Sequence, residues 1–346
     1  MLTAAYLGNR TIGVRPAEAE PPSAGQVRIR VAFVGLCGTD LHVAHGDMDQ
    51  RVRTPLVFGH EMSGTIDAVG EGVGGWASGD KVTVMPLLWD GTCPACVAGN
   101  THICQNLTFV GIDSPGALQA LWNVPVLTLV RVPTTTSLRD AALIEPTAVA
   151  VHDVRRGNVK SGDKVVVLGG GPIGSLIASV AARFGAEVAV VEPDPGRRAL
   201  VQRLGFETPD PGSTDVVAWV EEWTGGAGAD VVFEVSGAAA AVALSTAVAK
   251  VRGTIVMVAI HSEPRAVNLQ RVFWRELTIV GARVYQRADF ETAVELISTG
   301  AIPTAALITR VAPLNDIQAA LDDLEGGRAM KILIDVQDGQ PEEATA

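Results

Sequence analysis

An almost wholly apolar run of five residues, Lys164–Leu168, leads directly into a G-x-G-x-x-G hexapeptide at 169–174. Apolar residues then recur at helical spacing over 172–184, and a second apolar run follows at 187–191. Continuous Val and Ile runs are typical of parallel strands that are covered on both faces. The order strand, glycine turn, helix, strand therefore predicts a βαβ unit of a doubly wound α/β sheet.

The alternation of strands and helices continues towards the C-terminus, whereas the N-terminal third has a different pattern of apolar residues. The later strands are predicted at 230–235, 254–259 and 278–280, and the helices at 196–204, 239–251 and 289–298. From about residue 24 to 133, short β-branched runs are broken by glycine clusters; they predict strands at 26–33, 62–69 and 81–85. The sequence thus indicates a β-rich portion followed by a parallel-sheet portion.

Length and charge narrow the class of protein. A chain of 346 residues is too long for one ordinary hydrophobic core and predicts two domains. Its net charge of −11 argues against nucleic-acid and anionic-membrane partners. The most apolar long segment, 115–133, is interrupted by polar side chains, and the first twenty residues lack the apolar core of a signal peptide. We therefore expect a cytoplasmic protein.

The glycine hexapeptide has the features of a dinucleotide site. Gly169 permits a sharp turn, Gly171 lets the backbone approach a pyrophosphate, and Gly174 lets the helix pack closely on the strand. An acidic residue is expected at the end of the second strand, and Glu192 stands there, positioned to accept hydrogen bonds from ribose hydroxyls. The residues that we assign to cofactor binding are Gly169, Gly171, Pro172, Ile173, Gly174, Glu192, Arg197 and Ser236.

The choice between NAD and NADP depends on charge near the adenosine ribose. The carboxylate of Glu192 repels a 2′-phosphate and therefore predicts NAD. Arg197 and Arg198 are nearby cations that could hold such a phosphate, or that could simply cover a solvated helix face.

A thiol and an imidazole 23 positions apart, Cys37 and His60, are ligand types that Zn²⁺ prefers. Glu61 adjoins His60, and Glu145 follows the apolar residues 141–144, where an unpaired charge would be costly. We predict that Cys37, His60, Glu61 and Glu145 form a catalytic zinc site in which a carboxylate can exchange with water or substrate. The alternative is a buried cysteine beside a structural histidine.

The pattern G-H-E-x2-G-x5-G-x2-V at 59–73 resembles the signature of the zinc-containing medium-chain alcohol dehydrogenases, and the similarity covers nearly the whole chain. The resemblance implies an oxidoreductase with a GroES-like β-rich catalytic domain, assembled from residues 1–148 and 283–346. This domain surrounds an inserted Rossmann-type doubly wound domain, 149–282, and a cleft separates the two. It also implies a homodimer or homotetramer that associates partly through the edge of the nucleotide-domain sheet. The apolar strand 254–260 is the candidate edge, and the alternative is that it is an ordinary buried strand.

A second cluster, Asp90, Cys93, Cys96 and Cys104, resembles the structural zinc lobe of this family, in which four cysteines have the same spacing. Aspartate replaces the first cysteine, and a carboxylate is a competent zinc ligand, so we predict a second occupied site. The alternative is a lobe that keeps its shape without metal, with Asp90 solvated. Neither His45 nor His102 fits the ligand spacing.

By the same resemblance, Zn²⁺ polarises a substrate hydroxyl and a hydride passes from the carbinol carbon to NAD. Thr39 would accept the proton and pass it through the cofactor ribose to His42 at the surface. Asp40 would orient a zinc-binding histidine through a hydrogen bond. The alternative for Thr39 and Asp40 is ordinary capping of a Gly-Thr-Asp turn.

The expected substrate is a small vicinal diol or short polyol, oxidised at a secondary carbon. The pattern G-x3-Y-x-R-x-D-F at 281–290 resembles butanediol-dehydrogenase-like members. The substrate arginine of sorbitol dehydrogenases falls at Val284, although Arg283 adjoins it. Threonine or another sugar alcohol is the alternative substrate. Zinc-free reductases and non-catalytic nucleotide-binding sensors, which reuse this fold, are expected to lack the zinc ligands that are present here.

Overall fold

The computed structural model describes residues 1–261 and 263–340. Contacts divide the chain into two compact units. The first, which we call the β-rich unit, comprises residues 1–145, 286–300 and the chain from Leu307 onward. The second, which we call the parallel-sheet unit, comprises residues 146–285 and 301–306.

The β-rich unit contains three sheets. Its strands are β1 (Leu2–Gly8), β2 (Thr11–Pro16), β3 (Gln26–Leu36), β4 (Leu56–Val57), β5 (Glu61–Val69), β6 (Lys81–Val84), β7 (Leu87–Leu88), β8 (Thr108–Phe109), β9 (Leu121–Pro125), β10 (Leu129–Arg131), β16 (Ile308–Pro313) and β17 (Lys331–Asp335). The largest sheet has the order β10-β6-β5-β3-β17-β16, and β9 also pairs with β3. The helices are α1 (Gly38–Ala44), α2 (Pro94–Val97), α3 (Leu138–Ala141), α10 (Arg287–Ser298) and α12 (Ile317–Glu325).

Strand β3 organises this sheet. Its alternate residues Val27, Ile29 and Val31 are fully buried, as expected for a strand with one face on a core. It pairs antiparallel with β5 and with β17. Antiparallel pairing brings the C-terminal end of β3 beside the N-terminal ends of both neighbours, so residues 36–37, 60–61 and 331 lie at the same end of the sheet.

The parallel-sheet unit is a five-stranded parallel sheet with helices between its strands. The strands are β11 (Lys164–Leu168), β12 (Glu187–Val191), β13 (Ala229–Glu234), β14 (Ala249–Met257) and β15 (Thr278–Gly281), in the order β12-β11-β13-β14-β15. The helices are α5 (Pro172–Arg183), α6 (Pro195–Arg203), α7 (Val216–Trp223), α8 (Ala239–Val248) and α9 (Leu269–Arg275), and α4 (Ile144–Arg156) and α11 (Thr304–Leu307) contain residues of both units.

The predicted fold class is confirmed, and the differences lie in element boundaries. The strands at 164–168 and 187–191 are as predicted. The helix predicted over 239–251 ends at Val248, and strand β14 begins at Ala249 rather than at residue 254. Pairing of Ala249 with Ala229 on β13 draws this alanine- and valine-rich segment into the sheet, which overrides its helix propensity. Helices α4, α7 and α9 were not predicted.

The prediction that the strand at 254–260 forms the sheet edge is wrong. Strand β14 pairs with β13 on one side and with β15 on the other, so it is interior. The continuous Val and Ile run that suggested an interface reflects burial inside the sheet. The edge at this side is β15, which is short and largely exposed. Among the described residues, no helix is long and apolar enough to cross a membrane.

Candidate metal centre and dinucleotide site

The first cluster of possible metal ligands lies where β3, β5 and β17 converge. Cys37 follows the last residue of β3, Glu61 is the first residue of β5, and His60 directly precedes it. The Sγ atom of Cys37 is 3.4 Å from Nε2 of His60. One ligand atom from each of Cys37, His60 and Glu61 lies within 4.8 Å of the others. His60 and Glu61 are buried and Cys37 is half-buried, so the nitrogen and oxygen ligands are shielded from water while the sulfur is partly accessible.

Asp40 fixes the backbone around Cys37 but does not hydrogen-bond His60. Its Oδ2 atom accepts the backbone N–H of Cys37 over 2.8 Å, which caps helix α1. Its Oδ1 atom is 4.0 Å from Nδ1 of His60, too far for the hydrogen bond that the sequence led us to expect. Burial raises the pKa of the Asp40 carboxyl.

The chemistry of this donor set fits a cation such as Zn²⁺. Burial, and then the charge of Asp40, raise the pKa of the Cys37 thiol. A metal ion bound between the thiol and the imidazole would reverse this effect, because a coordinating thiol is deprotonated. Nδ1 of His60 is a buried atom without a hydrogen-bond partner among the described residues, while Nε2 faces the sulfur. The orientation leaves Nε2 available as a ligand.

Glu145 does not belong to the close cluster. It lies in the first turn of α4 and is 4% exposed. Its charge contributes to the electrostatic environment of both His60 and Lys331, which places it near the centre. The structure thus brings three of the four predicted ligands together and holds the fourth, Glu145, outside their shared 4.8 Å group.

Lys331, which no motif of the sequence marks, lies beside the cluster. It is the first residue of β17 and is 2% exposed. Its Nζ donates to Oε2 of Glu61 over 2.6 Å and to the backbone oxygen of Leu36 over 3.0 Å. Burial lowers the pKa of Lys331, but the charges of Glu61 and Cys37 outweigh burial and raise it above the ordinary value. The ammonium group therefore stays charged inside the protein.

Thr39 and His42 lie on the same short helix, α1. They are three residues apart, a spacing that puts them on one helix face. Thr39 is half-buried close to Cys37 in sequence, and His42 is exposed, with its Nδ1 atom 3.0 Å from Oδ2 of Asp47. The helix therefore carries a half-buried hydroxyl two residues after Cys37 and an imidazole in contact with solvent.

The second cluster unites all four residues that the sequence grouped. One ligand atom from each of Asp90, Cys93, Cys96 and Cys104 lies within 4.8 Å of the others. The Sγ atoms of Cys93 and Cys104 are 3.8 Å apart, and all four cysteines of the chain are free thiols. Three thiols and a carboxylate form a ligand set of the kind that structural zinc sites use.

Backbone N–H groups point at the sulfurs of this cluster. Cys93 Sγ accepts from the backbone of Cys96 and of Gln105, and these bonds lower the pKa of the Cys93 thiol. Burial, followed by contact with the other two thiols, raises the pKa of Cys96 to about 12. Asp90 accepts the backbone N–H of Cys93 over 3.0 Å, which ties the carboxylate to the same turn. His102 is buried nearby and His45 pairs with Glu325, so neither belongs to a cluster.

The glycine turn between β11 and α5 is shaped for a ligand. Gly169 has a φ of +117°, in the region that favours glycine. A Cβ on Gly174 would lie 1.9 Å from the backbone oxygen of Gly169, so only glycine permits this packing. A Cβ on Gly171 would meet nothing within 4 Å. Gly171 is therefore not needed for internal packing, and it leaves an open approach to the N-terminus of α5, where a phosphate would bind.

Glu192 lies in the predicted place, and it also holds the turn. It directly follows β12 and is buried. Its Oε2 atom accepts the N–H of Gly170 over 2.7 Å, and Oε1 accepts that of Asp194 over 2.8 Å. Each carboxylate oxygen retains a further lone pair, so Glu192 can still accept from a ribose hydroxyl.

Ser236 and the two arginines complete the surroundings of the turn. The Cβ atom of Ser236 is 3.2 Å from the position of a Cβ on Gly169, so Ser236 borders the turn directly. Arg198 contacts the backbone oxygen of Glu192 over 2.9 Å and Oδ2 of Asp210 over 2.9 Å. Its guanidinium is thus already engaged by protein acceptors. Arg197 donates its backbone N–H to Asp194 at the start of α6.

Two family descriptions match the chain. Residues 23–134 match the alcohol dehydrogenase GroES-like domain, and residues 172–299 match the zinc-binding dehydrogenase domain. The chain therefore belongs to the zinc-dependent medium-chain alcohol dehydrogenases, and to their polyol dehydrogenase branch.

Relatives along the whole chain agree with this class. The 2-dehydro-3-deoxy-L-galactonate 5-dehydrogenase of Pseudoalteromonas atlantica is 51% identical, over 97% of this chain and 98% of that protein. The sorbitol dehydrogenase of Halalkalibacterium halodurans is 30% identical over 94% and 96%. The solved 2R,3R-butanediol dehydrogenase of Bacillus subtilis is 30% identical with a TM-score of 0.89, covering 96% of this chain and 99% of that one. The protein is thus an oxidoreductase of the alcohol and polyol dehydrogenase type.

Proposed function

We propose that this protein interconverts a secondary alcohol and its ketone by transferring a hydride to NAD⁺ or from NADH. The reaction would take place at a zinc centre formed by Cys37, His60 and Glu61. In the oxidative direction the substrate loses a hydride and a proton, and the products are a ketone, NADH and a released proton. The observation that carries this proposal is the cluster of one half-buried thiol, one buried imidazole and one buried carboxylate, with ligand atoms within 4.8 Å of one another, in a chain of this family.

Different residues of the β-rich unit would bind the metal and transfer the proton. Cys37 and His60 would hold the metal permanently, and the carboxylates of Glu61 and Glu145 would serve as further or exchanging ligands. Zinc, when bound, acts as a Lewis acid on the reacting oxygen. Thr39 would take the hydroxyl proton, and His42, one turn further along α1 and exposed, would release it to solvent. Asp40 would keep Cys37 in place through its helix cap.

The dinucleotide would bind at the turn after β11. The open space above Gly171 would take the pyrophosphate, and Glu192 would accept from the adenosine ribose. Pro172 and Ile173 would form the first turn of the helix beneath the phosphates, with Ser236 at the border of the site. A carboxylate at position 192, with Arg198 already engaged by Asp210, favours NAD over NADP.

A second zinc would bind Asp90, Cys93, Cys96 and Cys104 and would stabilise their loop. Because every member of this set already lies within 4.8 Å of the others, binding would require little rearrangement. We assign this zinc a structural role.

We infer that the substrate is a polyhydroxylated acid. The basis for this is the relative at 51% identity over 97% of the chain, whose name specifies a dehydro-deoxy-galactonate. A small vicinal diol such as 2,3-butanediol is the second candidate, because the 2R,3R-butanediol dehydrogenase shares the fold over 96% of the chain at 30% identity.

A substrate panel tests the proposal. Zinc-loaded protein is given NAD and, in separate assays, sugar acids, 2,3-butanediol, sorbitol and threonine, and NADH absorbance is followed. We expect the highest kcat/KM with the 3-deoxy sugar acid. A preference for butanediol would favour the second candidate, and no NADH with any of these alcohols would contradict the proposed reaction.

A further inference from the structure

A buried lysine is rare unless it is paired, and Lys331 is paired with a residue of the metal cluster. The side chains of Lys331 and Glu61 are 3% and 2% exposed, and their Nζ and Oε2 atoms are 2.6 Å apart. The pair joins two strands 270 positions apart in sequence, β5 and β17. Replacing such a pair by apolar residues is often neutral or stabilising, so stability alone gives weak reason for its presence.

The surrounding backbone keeps the Glu61 carboxylate beside the ammonium group. Gly35 lies opposite Glu61 in the pairing of β3 with β5. A Cβ on Gly35 would lie 2.3 Å from Oε2 of Glu61, so the carboxylate occupies the space that this glycine leaves. On the other side, the Leu36 carbonyl fixes Nζ of Lys331 at 3.0 Å. Both charged groups are therefore held in one arrangement by strand β3.

An oxygen of the same carboxylate lies within 4.8 Å of a ligand atom of Cys37 and of His60, so one metal ion could contact all three side chains. It thus has two possible cationic partners, the ammonium group and a metal ion. The ammonium group of Lys331, 2.6 Å from Oε2 of Glu61, partly neutralises the charge of the carboxylate. It also repels a divalent cation nearby. Both effects weaken Glu61 as a metal ligand.

We propose that Lys331 is a positioning residue that restrains Glu61 from binding the catalytic metal permanently and so keeps a ligand position available for substrate. This inference rests on the proposed function, because it requires a metal at the first cluster. It adds a residue from the C-terminal strand, with no direct contact to the metal, to the set that determines metal exchange.

The test measures metal binding rather than turnover. The protein is loaded with Co²⁺, and the spectrum of an equally loaded Cys37→Ala variant is subtracted, which isolates the first cluster from the second. Loss of this signal to a chelator is then timed. In Lys331→Met, which keeps the length of the side chain and removes its charge, we expect the first-cluster metal to leave roughly tenfold more slowly. The d–d bands should change with the added ligand.

Matched variants separate this role from a purely structural one. Lys331→Arg keeps the charge and should retain the wild-type bands and release rate. Glu61→Gln should abolish the effect of the lysine substitution. In the Glu61→Gln background, Lys331→Met should therefore change neither the d–d bands nor the rate of metal release. Lys81→Met removes another lysine of the same unit, one that contacts the backbone oxygens of Thr134 and Thr136, and should leave the release rate unchanged. If Lys331→Met does not fold, Lys331→Gln should slow release to a smaller extent.

Unchanged or faster metal release in Lys331→Met would overturn the inference, as would the same slowing in the Glu61→Gln background. Absence of any Cys37-dependent signal in the wild-type protein would overturn the proposed function as well. A normal wild-type signal that Lys331→Met does not alter would overturn this inference alone.

Discussion

The carboxylate of Glu192 accepts a hydrogen bond from the backbone N–H of Gly170 over 2.7 Å. The residue expected to bind ribose therefore also ties the glycine turn to the end of the second strand. Removing it affects the shape of the turn as well as recognition of the cofactor.

We expect Glu192→Ala to weaken NADH binding by about tenfold or more, because a ribose acceptor is lost and two backbone N–H groups lose their partner. Glu192→Gln should be less affected, since its amide oxygen can replace one acceptor. Titration of NADH fluorescence measures both. Glu187→Gln, an exposed carboxylate at the start of the same strand, is the control. Equal affinity in Glu192→Ala and wild type would remove Glu192 from the site.

Substitutions of the second and third glycines of the turn, Gly171 and Gly174, are expected to have different effects. Gly174→Ala places a methyl group 1.9 Å from the Gly169 oxygen and should lower the free energy of unfolding by about 1–3 kcal/mol. Gly171→Ala meets nothing within 4 Å and should leave stability nearly unchanged while weakening NADH binding. Chemical denaturation and NADH titration distinguish them. Full NADH affinity in Gly171→Ala would show that the phosphates bind elsewhere.

The second cluster predicts a separate zinc. Metal analysis should find one zinc for each of the two clusters in the wild-type chain. Cys96→Ser should lose the zinc of the second cluster and Cys37→Ala that of the first, with the other zinc retained in each case. Asp90→Asn should lower the affinity of the second cluster for zinc without abolishing binding, because three thiolates remain. One zinc in the wild type and none in Cys37→Ala would mean that the lobe is stable without metal.

Thr39 is expected to move the substrate proton. Thr39→Val keeps the shape of the side chain and removes the hydroxyl, so kcat should fall by roughly 10²-fold while zinc content and NADH affinity stay constant. Thr39→Ser should retain most of the activity. Steady-state kinetics at saturating NAD, with metal analysis of each variant, checks this. A Thr39→Val enzyme with wild-type kcat would limit Thr39 to the first turn of α1.

The edge of the parallel sheet is the expected place of self-association. Strand β15 is exposed, and α9, which precedes it, exposes Phe273 and Trp274 at 72% each. Exposed aromatic side chains beside an unpaired strand edge are typical of an interface. Phe273→Ser with Trp274→Ser should convert an oligomer to a monomer in sedimentation velocity, with Leu127→Ser, an exposed leucine of the β-rich unit, as control. An unchanged sedimentation coefficient would place the interface elsewhere.

The glycine turn and Glu192 could be predicted because their signal is local: a strand, a tight turn and a helix within about thirty residues. The second cluster was equally accessible, since its four ligands lie within fifteen positions. Cys37 and His60 are farther apart, and their ligand types, together with the signature that contains His60, suggested a shared site. Each of these predictions used a pattern that is contiguous or has a fixed spacing.

Lys331 had no such signal. A lysine at the start of a strand is usually exposed, and only the pairing of β17 with β3 brings it to Glu61. Tertiary pairing also decided the position of β14, whose apolar run suggested an edge although it lies between two strands. The 4.0 Å gap between Asp40 and His60 depends on side-chain placement that no sequence spacing determines.

Oxidation of the substrate is expected to depend on metal held by Cys37 and His60. The most direct test is to remove zinc with a chelator, return it in steps, and measure both NADH formation and occupancy of the first cluster. We predict that the rate rises in proportion to that occupancy and that Cys37→Ala stays inactive at every zinc concentration. If metal-free protein or Cys37→Ala formed NADH as fast as the zinc-loaded wild type, oxidation would not depend on metal at the first cluster.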